Sequence, residues 1–271
     1  MADLRGFLLG LALLLNSGAA HAQTESAATS GEHGTVIPIS PQLCNDMKKH
    51  RVLNAGAPVG CDRLRLVKFA YVDFDGKPHA DGEIVVMDAV ADHVLQVFVA
   101  LRQRRFPIAG AKLMNTYDGD DDVSMDHNNT SAFNVRPMAG GGPILLHAYG
   151  AAIDLNPIQN PYLRRSGERT VVSPKAGAEY LNRKVFRPGM AESIIGIFAE
   201  HGFTIWGGRW RNPIDYQHFQ ISHRFADQLA RSRSAEARAL FEHHVQKYRA
   251  CLQRSAGGER PTQAPCAAEN Y

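Results

Sequence analysis

Two short segments of this sequence combine histidine and aspartate with glycine at close spacing. The first, LHAYGAAIDLNP, contains His147 and Asp154, and the second, which runs from WGGRW to DYQHF, contains Asp215 and His218. A catalytic zinc ion takes three protein ligands, usually nitrogen and oxygen donors at about 2.0–2.2 Å, and keeps one position for water. Because two histidines and one carboxylate would suffice, these segments are candidates for a catalytic metal centre.

Histidine content alone does not identify such a centre. The chain has 12 histidines, and most histidines in proteins are surface residues or satisfied core residues. We interpret the histidines outside the two segments as structural or solvated: His21, His33, His50, His79, His93, His127, His201, His223, His243 and His244. Of these, His127 and His223 are the strongest exceptions, since each lies near a functional segment.

Short strands and helices must position the two segments. Runs of branched and aromatic residues predict strands at 64–72, 84–87 and 203–206. Apolar residues at helical spacing predict helices at 90–101, at about 191–201 and from residue 234 onward. The seven-residue step from His147 to Asp154, interrupted by Gly150, suits a loop entering a strand. Because the strands and helices do not alternate regularly, we expect an α+β fold.

The length of 271 residues suits one domain with tails. Residues 1–22 have the basic start, apolar run and A-x-A ending of a cleaved secretory signal peptide. An uncleaved anchor is the alternative, although the apolar run is far shorter than the ~20 residues that span a bilayer. We expect the remaining chain to divide into a flexible lead-in, a folded domain, a helical C-terminal appendage and a disordered tail, at 23–40, 41–225, 226–254 and 255–271.

The four cysteines, Cys44, Cys61, Cys251 and Cys266, lie in the flanks of the chain, away from the candidate metal ligands. Export would permit disulfides, and three pairings are possible. We favour Cys44 with Cys61 and Cys251 with Cys266, because each pair closes a short loop near one terminus. The alternative is that one or both pairs stay reduced.

The charge pattern excludes one class of partner and selects none. The net charge is +3, and the basic residues are scattered among almost as many acids, so no nucleic-acid footprint is present. A mildly basic protein would be attracted to an anionic polymer such as cell wall. No segment after the signal is long and apolar enough to span a membrane, so we expect no stable membrane insertion. The acid-rich stretch at 118–122 could bind calcium, but a solvated loop is the better interpretation.

The motif H-x-x-G-x-A-x-D is met by His147, Gly150, Ala152 and Asp154, and W-G-G-x-W and D-x-x-H-F follow some sixty residues later. This set resembles the VanY-type D-alanyl-D-alanine carboxypeptidases and related zinc peptidases of the LAS group, including L-alanyl-D-glutamate endopeptidases. The similarity extends through FDG, FPI, NNTSAFN and NPY, at 74–76, 106–108, 128–134 and 160–162, and covers roughly 41–222. It implies a LAS or hedgehog-like zinc peptidase domain with a small antiparallel sheet and flanking helices.

The resemblance also implies roles for individual residues. His147, Asp154 and His218 match the zinc ligands of the family, and Asp215 matches its general base. The alternative for Asp215 is a partner that orients a ligand histidine. One departure concerns Leu145, since family members usually have serine two residues before the first ligand. Zinc binding should survive this change, whereas substrate hydrogen bonding and bond preference are in doubt.

Three further residues are candidates for the substrate cleft. Arg136 resembles the strand-borne arginine that related enzymes place near the substrate carbonyl, with a surface or salt-bridge role as the alternative. Trp206 and Trp210 could wall the cleft, with packing as the alternative.

The expected function is zinc-dependent hydrolysis of peptide bonds in peptidoglycan stem peptides, as a carboxypeptidase or an endopeptidase, in the periplasm or outside the cell. Zinc lowers the pKa of a bound water to about 7, and a nearby carboxylate can then take a proton and pass it to the departing amine. A non-catalytic cell-wall-binding module on the same fold is the alternative. A serine or cysteine hydrolase is a weaker alternative, because the chain has no G-x-S-x-G motif.

Overall fold

The computed structural model describes residues 34–135 and 145–255, together with Met1 and Cys266. The signal peptide expected at 1–22 lies outside the described residues, as do most of the lead-in and most of the tail.

The first layer is a three-stranded antiparallel sheet. Its strands are β1 (Gly34–Pro38), β2 (Leu64–Val72) and β3 (Pro78–Met87), in the order β1-β2-β3. Helix α1 (Pro41–Lys49) follows β1, and its N-terminus is capped by Ser40, whose side chain accepts from the backbone N–H of Leu43. The strands predicted at 64–72 and 84–87 are therefore present as β2 and β3. Strand β3 begins at Pro78, before the apolar run at 84–87.

Strand β1 corrects one expectation about the chain's organisation. Residues 34–38 fall within the expected flexible lead-in, 23–40, yet they pair with β2 from Gly34 opposite Phe69 to Pro38 opposite Arg65. The lead-in as a whole is rich in small and polar residues, but Thr35, Val36 and Ile37 are three consecutive β-branched residues, which favour a strand. Its order comes from hydrogen bonds to a partner strand that lies some thirty residues later in the chain.

Helix α2 (Ala91–Gln103) packs against this sheet. Its residues Val94, Val97, Phe98 and Leu101 are fully buried, as the helical periodicity predicts. The ring of Phe98 stacks on Phe69 of β2, with 3.7 Å between ring centroids. The helix thereby fixes the sheet against which the candidate metal-binding segment packs.

Two smaller antiparallel sheets carry the candidate site residues Asp154, His218 and Asp215. One contains β4 (Ala152–Asp154), β9 (His218–Gln220) and β7 (Ile205–Trp206), in the order β4-β9-β7. The other contains β6 (Arg169–Ser173), β5 (Tyr162–Ser166) and β8 (Ile214–Asp215), in the order β6-β5-β8. Since β8 and β9 are separated by only two residues, one short stretch of chain joins both sheets.

The described part of the chain contains four more α-helices: α3 (Asp121–Asp126), α4 (Ile195–Glu200), α5 (His223–Arg231) and α6 (Ser234–Ser255). The helix expected at 191–201 is split, because a 3-10 turn at Ala191–Ser193 precedes α4. Helix α6 was expected to be an appendage, but Ala237, Phe241 and Val245 are fully buried in the main core. The C-terminal helices are thus part of the domain.

The expected α+β class with antiparallel pairing and flanking helices is confirmed, with the strands divided among three sheets. Both favoured disulfides, Cys44–Cys61 and Cys251–Cys266, are formed in the structure. Among the described residues, no helix combines the length and apolar character needed to cross a bilayer.

Candidate metal centre

Strand pairing brings together two of the three expected ligands. Asp154 at the end of β4 lies opposite His218 at the start of β9, and directly opposed residues of an antiparallel pair project from the same face, about 4.5–5.5 Å apart at Cβ. A separate antiparallel bridge holds the backbone of Asp154 to Ser131, with two N–H···O bonds of 2.9 Å. Asp154 is therefore fixed on both sides.

His147 lies in a 3-10 turn, Leu146–Tyr149, that leads into β4. Gly150 ends this turn with φ of 66°, and a Cβ at that position would lie 2.5 Å from the backbone nitrogen of Met87. Only glycine combines this left-handed backbone with such a close approach. The glycine of the H-x-x-G motif thus allows the turn to pack against β3 and aim His147 at Asp154.

The three side chains converge. Nε2 of His147 lies 3.1 Å from Oδ2 of Asp154, Nδ1 of His218 lies 2.8 Å from Oδ1 of Asp154, and the two nitrogens are 3.2 Å apart. Tetrahedral zinc with bonds of about 2.0–2.1 Å requires ligand atoms roughly 3.3 Å apart, which is close to this spacing. All three residues are buried, with 2–7% of their surface exposed. They form a group that could hold a metal ion.

The other nitrogen of each imidazole has an acceptor of its own. Nδ1 of His147 donates to the carbonyl oxygen of Ala132 at 2.6 Å, and Nε2 of His218 donates to Oε1 of Gln220 at 2.7 Å. Such outer hydrogen bonds fix the tautomer and orientation of metal-binding histidines. In their neutral forms, both imidazoles therefore turn a lone pair toward the carboxylate of Asp154.

This donor set fits a divalent cation. Two imidazole lone pairs and a carboxylate facing one another at about 3 Å repel unless positive charge lies among them. Burial raises the pKa of the Asp154 carboxyl, but His147 and His218, when protonated, add positive charge and donate hydrogen bonds to it, and together they hold that pKa well below its usual range. Asp154 is therefore a candidate anionic ligand at neutral pH.

Asp215 lies in β8, three residues before His218, and is buried. The W-G-G-x-W motif packs directly on it, since a Cβ at Gly207 would lie 2.5 Å from the carbonyl oxygen of Asp215 and 2.9 Å from its Cβ. The first glycine of that motif is thus required for close packing against the candidate general base. The W-G-G-x-W and D-x-x-H-F motifs are therefore in direct contact in the fold.

The two tryptophans have different surroundings. Trp206 is buried, and its Nε1 donates to the carbonyl oxygen of Tyr216 at 2.8 Å. It therefore supports the chain between Asp215 and His218, which corresponds to the packing alternative. Trp210 is partly exposed, and its ring lies 5.4 Å from that of His218, so it borders the centre. Arg136 lies outside the described residues.

His127 and His223 do not join the three-residue group among the described residues. His127 directly follows α3, and its Nδ1 donates to the carbonyl oxygen of Val123 within that helix. His223 begins α5 and makes an edge contact with the ring of Tyr149.

Three supporting residues were not identified as such from the sequence. Gln220 is two positions from His218, and alternation along a strand places both side chains on one face, which is a signal that could have identified it. Asn156 bonds to Pro107 and Ala109, and Asn160 bonds to Leu155 and Gly189. These asparagines belong to the D-L-N-P and N-P-Y stretches, and they tie the chain that leaves β4 to two neighbouring loops.

Comparison with protein families gives a match over part of the chain. Residues 141–221 match the family model described as D-alanyl-D-alanine carboxypeptidase, a stretch that includes all three candidate ligands and Asp215. The match confirms the resemblance to the VanY-type family and supports a peptidase related to peptidoglycan. No curated protein and no solved structure matches the chain.

Proposed function

We propose that this chain is an exported, zinc-dependent peptidase that hydrolyses peptide bonds in the stem peptides of peptidoglycan, as a carboxypeptidase or an endopeptidase. One observation carries the proposal, namely the convergence of the donor atoms of His147, Asp154 and His218 within 4.8 Å of one another in a buried site. The family match supplies the substrate class. The A-x-A ending of the apolar N-terminal segment supports export.

The ligand set suits hydrolysis. Zinc bound by His147, Asp154 and His218 would act as a Lewis acid that polarises a water molecule and the substrate carbonyl. Two neutral imidazoles and one carboxylate leave the centre with net positive charge, which preserves that acidity. Three protein ligands would leave a coordination position open for water or substrate.

Asp215 completes the reaction as general base. Its carboxylate accepts a proton from the attacking water and returns it to the departing amine. Asp215 is not part of the three-residue group, so it can carry the proton without competing for the metal. Trp210, next to His218, borders the space in which the substrate peptide would lie. Arg136 is proposed to stabilise the substrate carbonyl oxygen as negative charge develops on it.

The decisive experiment is digestion of defined muropeptides by the protein with zinc and with chelator, with the new termini identified by mass spectrometry. We expect products only when zinc is present, and the mass of the released fragment assigns the bond. Sedimentation with cell wall in the absence of any product would instead support a non-catalytic wall-binding module and contradict the proposed activity.

A further inference from the structure

The hairpin formed by β5 and β6 extends directly from the strand that carries Asp215. Asp215 pairs with Tyr162, and because side chains alternate along a strand, Arg164 lies on the same face as Tyr162 and Asp215. Val171 lies opposite Arg164, and Arg169 lies opposite Ser166, which also belongs to that face. We call this surface, made of Asp215, Tyr162, Arg164, Arg169 and Val171, the Arg164 face.

Two arginines on this face have no ionic partner among the described residues. Arg164 and Arg169 are exposed, and they are diagonal neighbours across the two strands, at a spacing of about 7–8 Å that long side chains bridge. Two like charges at this spacing repel each other and add nothing to the stability of the hairpin. The fold therefore gives no reason for this pair of charges.

The acidic groups nearby do not neutralise them. Glu168 lies in the turn between the two strands, and the acidic helix α3 contacts β6. Neither Glu168 nor any α3 carboxylate forms an ion pair with Arg164 or Arg169 within the described part of the chain. Val171, between the two arginines, is 44% exposed. The face therefore presents two cations around an apolar patch.

We propose that the Arg164 face is a substrate-binding surface for an acidic peptide, on which Arg164 and Arg169 bind two free carboxylates that lie on one side of the scissile bond. This inference rests on the proposed peptidase function and adds a charge preference to it. The planar guanidinium group pairs with a carboxylate through two parallel N–H···O bonds, which makes arginine well suited to the task.

The strand register indicates how far from the scissile bond these carboxylates lie. Arg164 is two residues along β5 from the partner of Asp215, or about 7 Å at 3.3 Å per residue. The pair of Ser166 and Arg169 is two residues farther, at about 13 Å along the strand. An extended peptide cut beside Asp215 would therefore place carboxylates about two and about four residues away at the two arginines.

The test compares Arg164→Ala and Arg169→Ala with Arg165→Ala. Arg165 is the matched control, because it is an exposed arginine on the same strand whose side chain projects from the opposite face. Each protein is assayed on synthetic stem peptides in which the free carboxylates are amidated one at a time. We expect Arg164→Ala and Arg169→Ala to raise KM about tenfold for a free-acid peptide, with kcat nearly unchanged, since one charge-assisted interaction is lost.

Amidation of the carboxylate that meets each arginine should abolish that difference, and Arg165→Ala should behave as the unmodified protein does. Equal KM values for Arg164→Ala and Arg165→Ala on every peptide would overturn the inference. The inference would also fail if Arg164→Ala and Arg169→Ala raised the KM equally for free-acid and amidated peptides.

A binding measurement separates this inference from the proposed function. Isothermal titration calorimetry with the Asp215→Asn variant compares the affinity of acid and amide peptides without requiring turnover. If no peptide is hydrolysed but the acid peptide binds through Arg164, the proposed activity fails and the surface assignment stands. If peptides are hydrolysed but acid and amide bind equally, the surface assignment fails alone.

Discussion

In the proposed reaction, four side chains divide the work of hydrolysis between metal binding and proton transfer. His147, Asp154 and His218 form a group that could hold a metal ion, whereas Asp215 lies on the neighbouring sheet. Separation of the base from the ligands matters because a carboxylate bound to the metal would be a weaker proton acceptor. This division yields different outcomes for substitution of a ligand and substitution of the base.

For the base, we predict that Asp215→Asn retains zinc while kcat falls about 10²–10⁴-fold, the usual contribution of general acid–base catalysis. The amide keeps the size of the side chain but cannot accept the proton. Zinc content by mass spectrometry and turnover of a defined muropeptide are the two measurements. Asp75→Asn, at an exposed aspartate, is the control. Full activity of Asp215→Asn would show that another group is the base.

For the support of His218, we predict that Gln220→Leu weakens zinc binding about 10–100-fold, because the hydrogen bond from Nε2 of His218 to Oε1 of Gln220 is lost. Competition with a zinc chelator measures the affinity. Gln246→Leu removes an exposed glutamine of α6 that bonds only within its own helix, and it should leave the affinity unchanged. An unaltered affinity in Gln220→Leu would mean that this bond does not orient the ligand.

At the scale of elements, Arg183 contacts the two-residue segment that joins β8 to β9. Arg183 pairs with Glu192 through two bonds of 2.6–2.7 Å and donates to Gln159 and Asn160. Its guanidinium also lies over the ring of Tyr216, 4.3 Å from the centroid. Arg183 thereby connects the loop after β4 to the residue that follows Asp215.

We predict that Arg183→Ala lowers the free energy of unfolding by about 2–3 kcal/mol, because Glu192 and the buried Asn160 lose a charged partner. It should also lower kcat more than it raises KM, because Asp215 loses its support. Urea unfolding and steady-state kinetics provide the two readouts. Arg183→Lys keeps the charge but not the planar fork, so it should recover only part of either loss. Unchanged kcat in Arg183→Ala would contradict the positioning role.

The elements differ in how well the sequence predicts them. Helices α2 and α6 were predictable because their apolar residues recur at helical spacing and are buried. Strand β1 was missed, because its β-branched run, Thr35 to Ile37, is only three residues long within a polar segment and its pairing depends on the distant strand β2. The candidate ligands were suggested by a resemblance, whereas the hydrogen bond from His147 to Ala132 depends on tertiary placement. No sequence pattern indicates which backbone carbonyl will face His147.

At the scale of the whole molecule, helix α6 is joined to the rest of the domain by histidines. His93 of α2 bonds to Glu242, His244 bonds to the carbonyl oxygen of Gly202, and the guanidinium of Arg249 donates to the carbonyl oxygen of Glu200. Between these contacts, His201 lies at the end of α4. Burial, together with the nearby charges of Arg249 and His93, lowers the pKa of His201 to about 4.

This arrangement predicts loss of stability in acid. Between pH 6.5 and about 4, the unfolded chain binds a proton at residue 201 that the folded protein does not, so the free energy of unfolding falls as the pH falls. His201→Gln should lose less stability than the unmodified protein between pH 7 and about pH 4.5. Thermal unfolding across this range measures the difference. His243→Gln, at an exposed position on α6, is the control, and identical pH profiles for His201→Gln and the unmodified protein would refute the prediction.

The most direct test of the account is the zinc stoichiometry of the purified protein, measured by native mass spectrometry for the unmodified chain and for His147→Ala, His218→Ala and His127→Ala. We predict one zinc ion per chain in the unmodified protein and in His127→Ala, and none retained in His147→Ala or His218→Ala. Retention of a full equivalent by His147→Ala and His218→Ala would contradict the assignment of the metal centre, and with it the proposed chemistry.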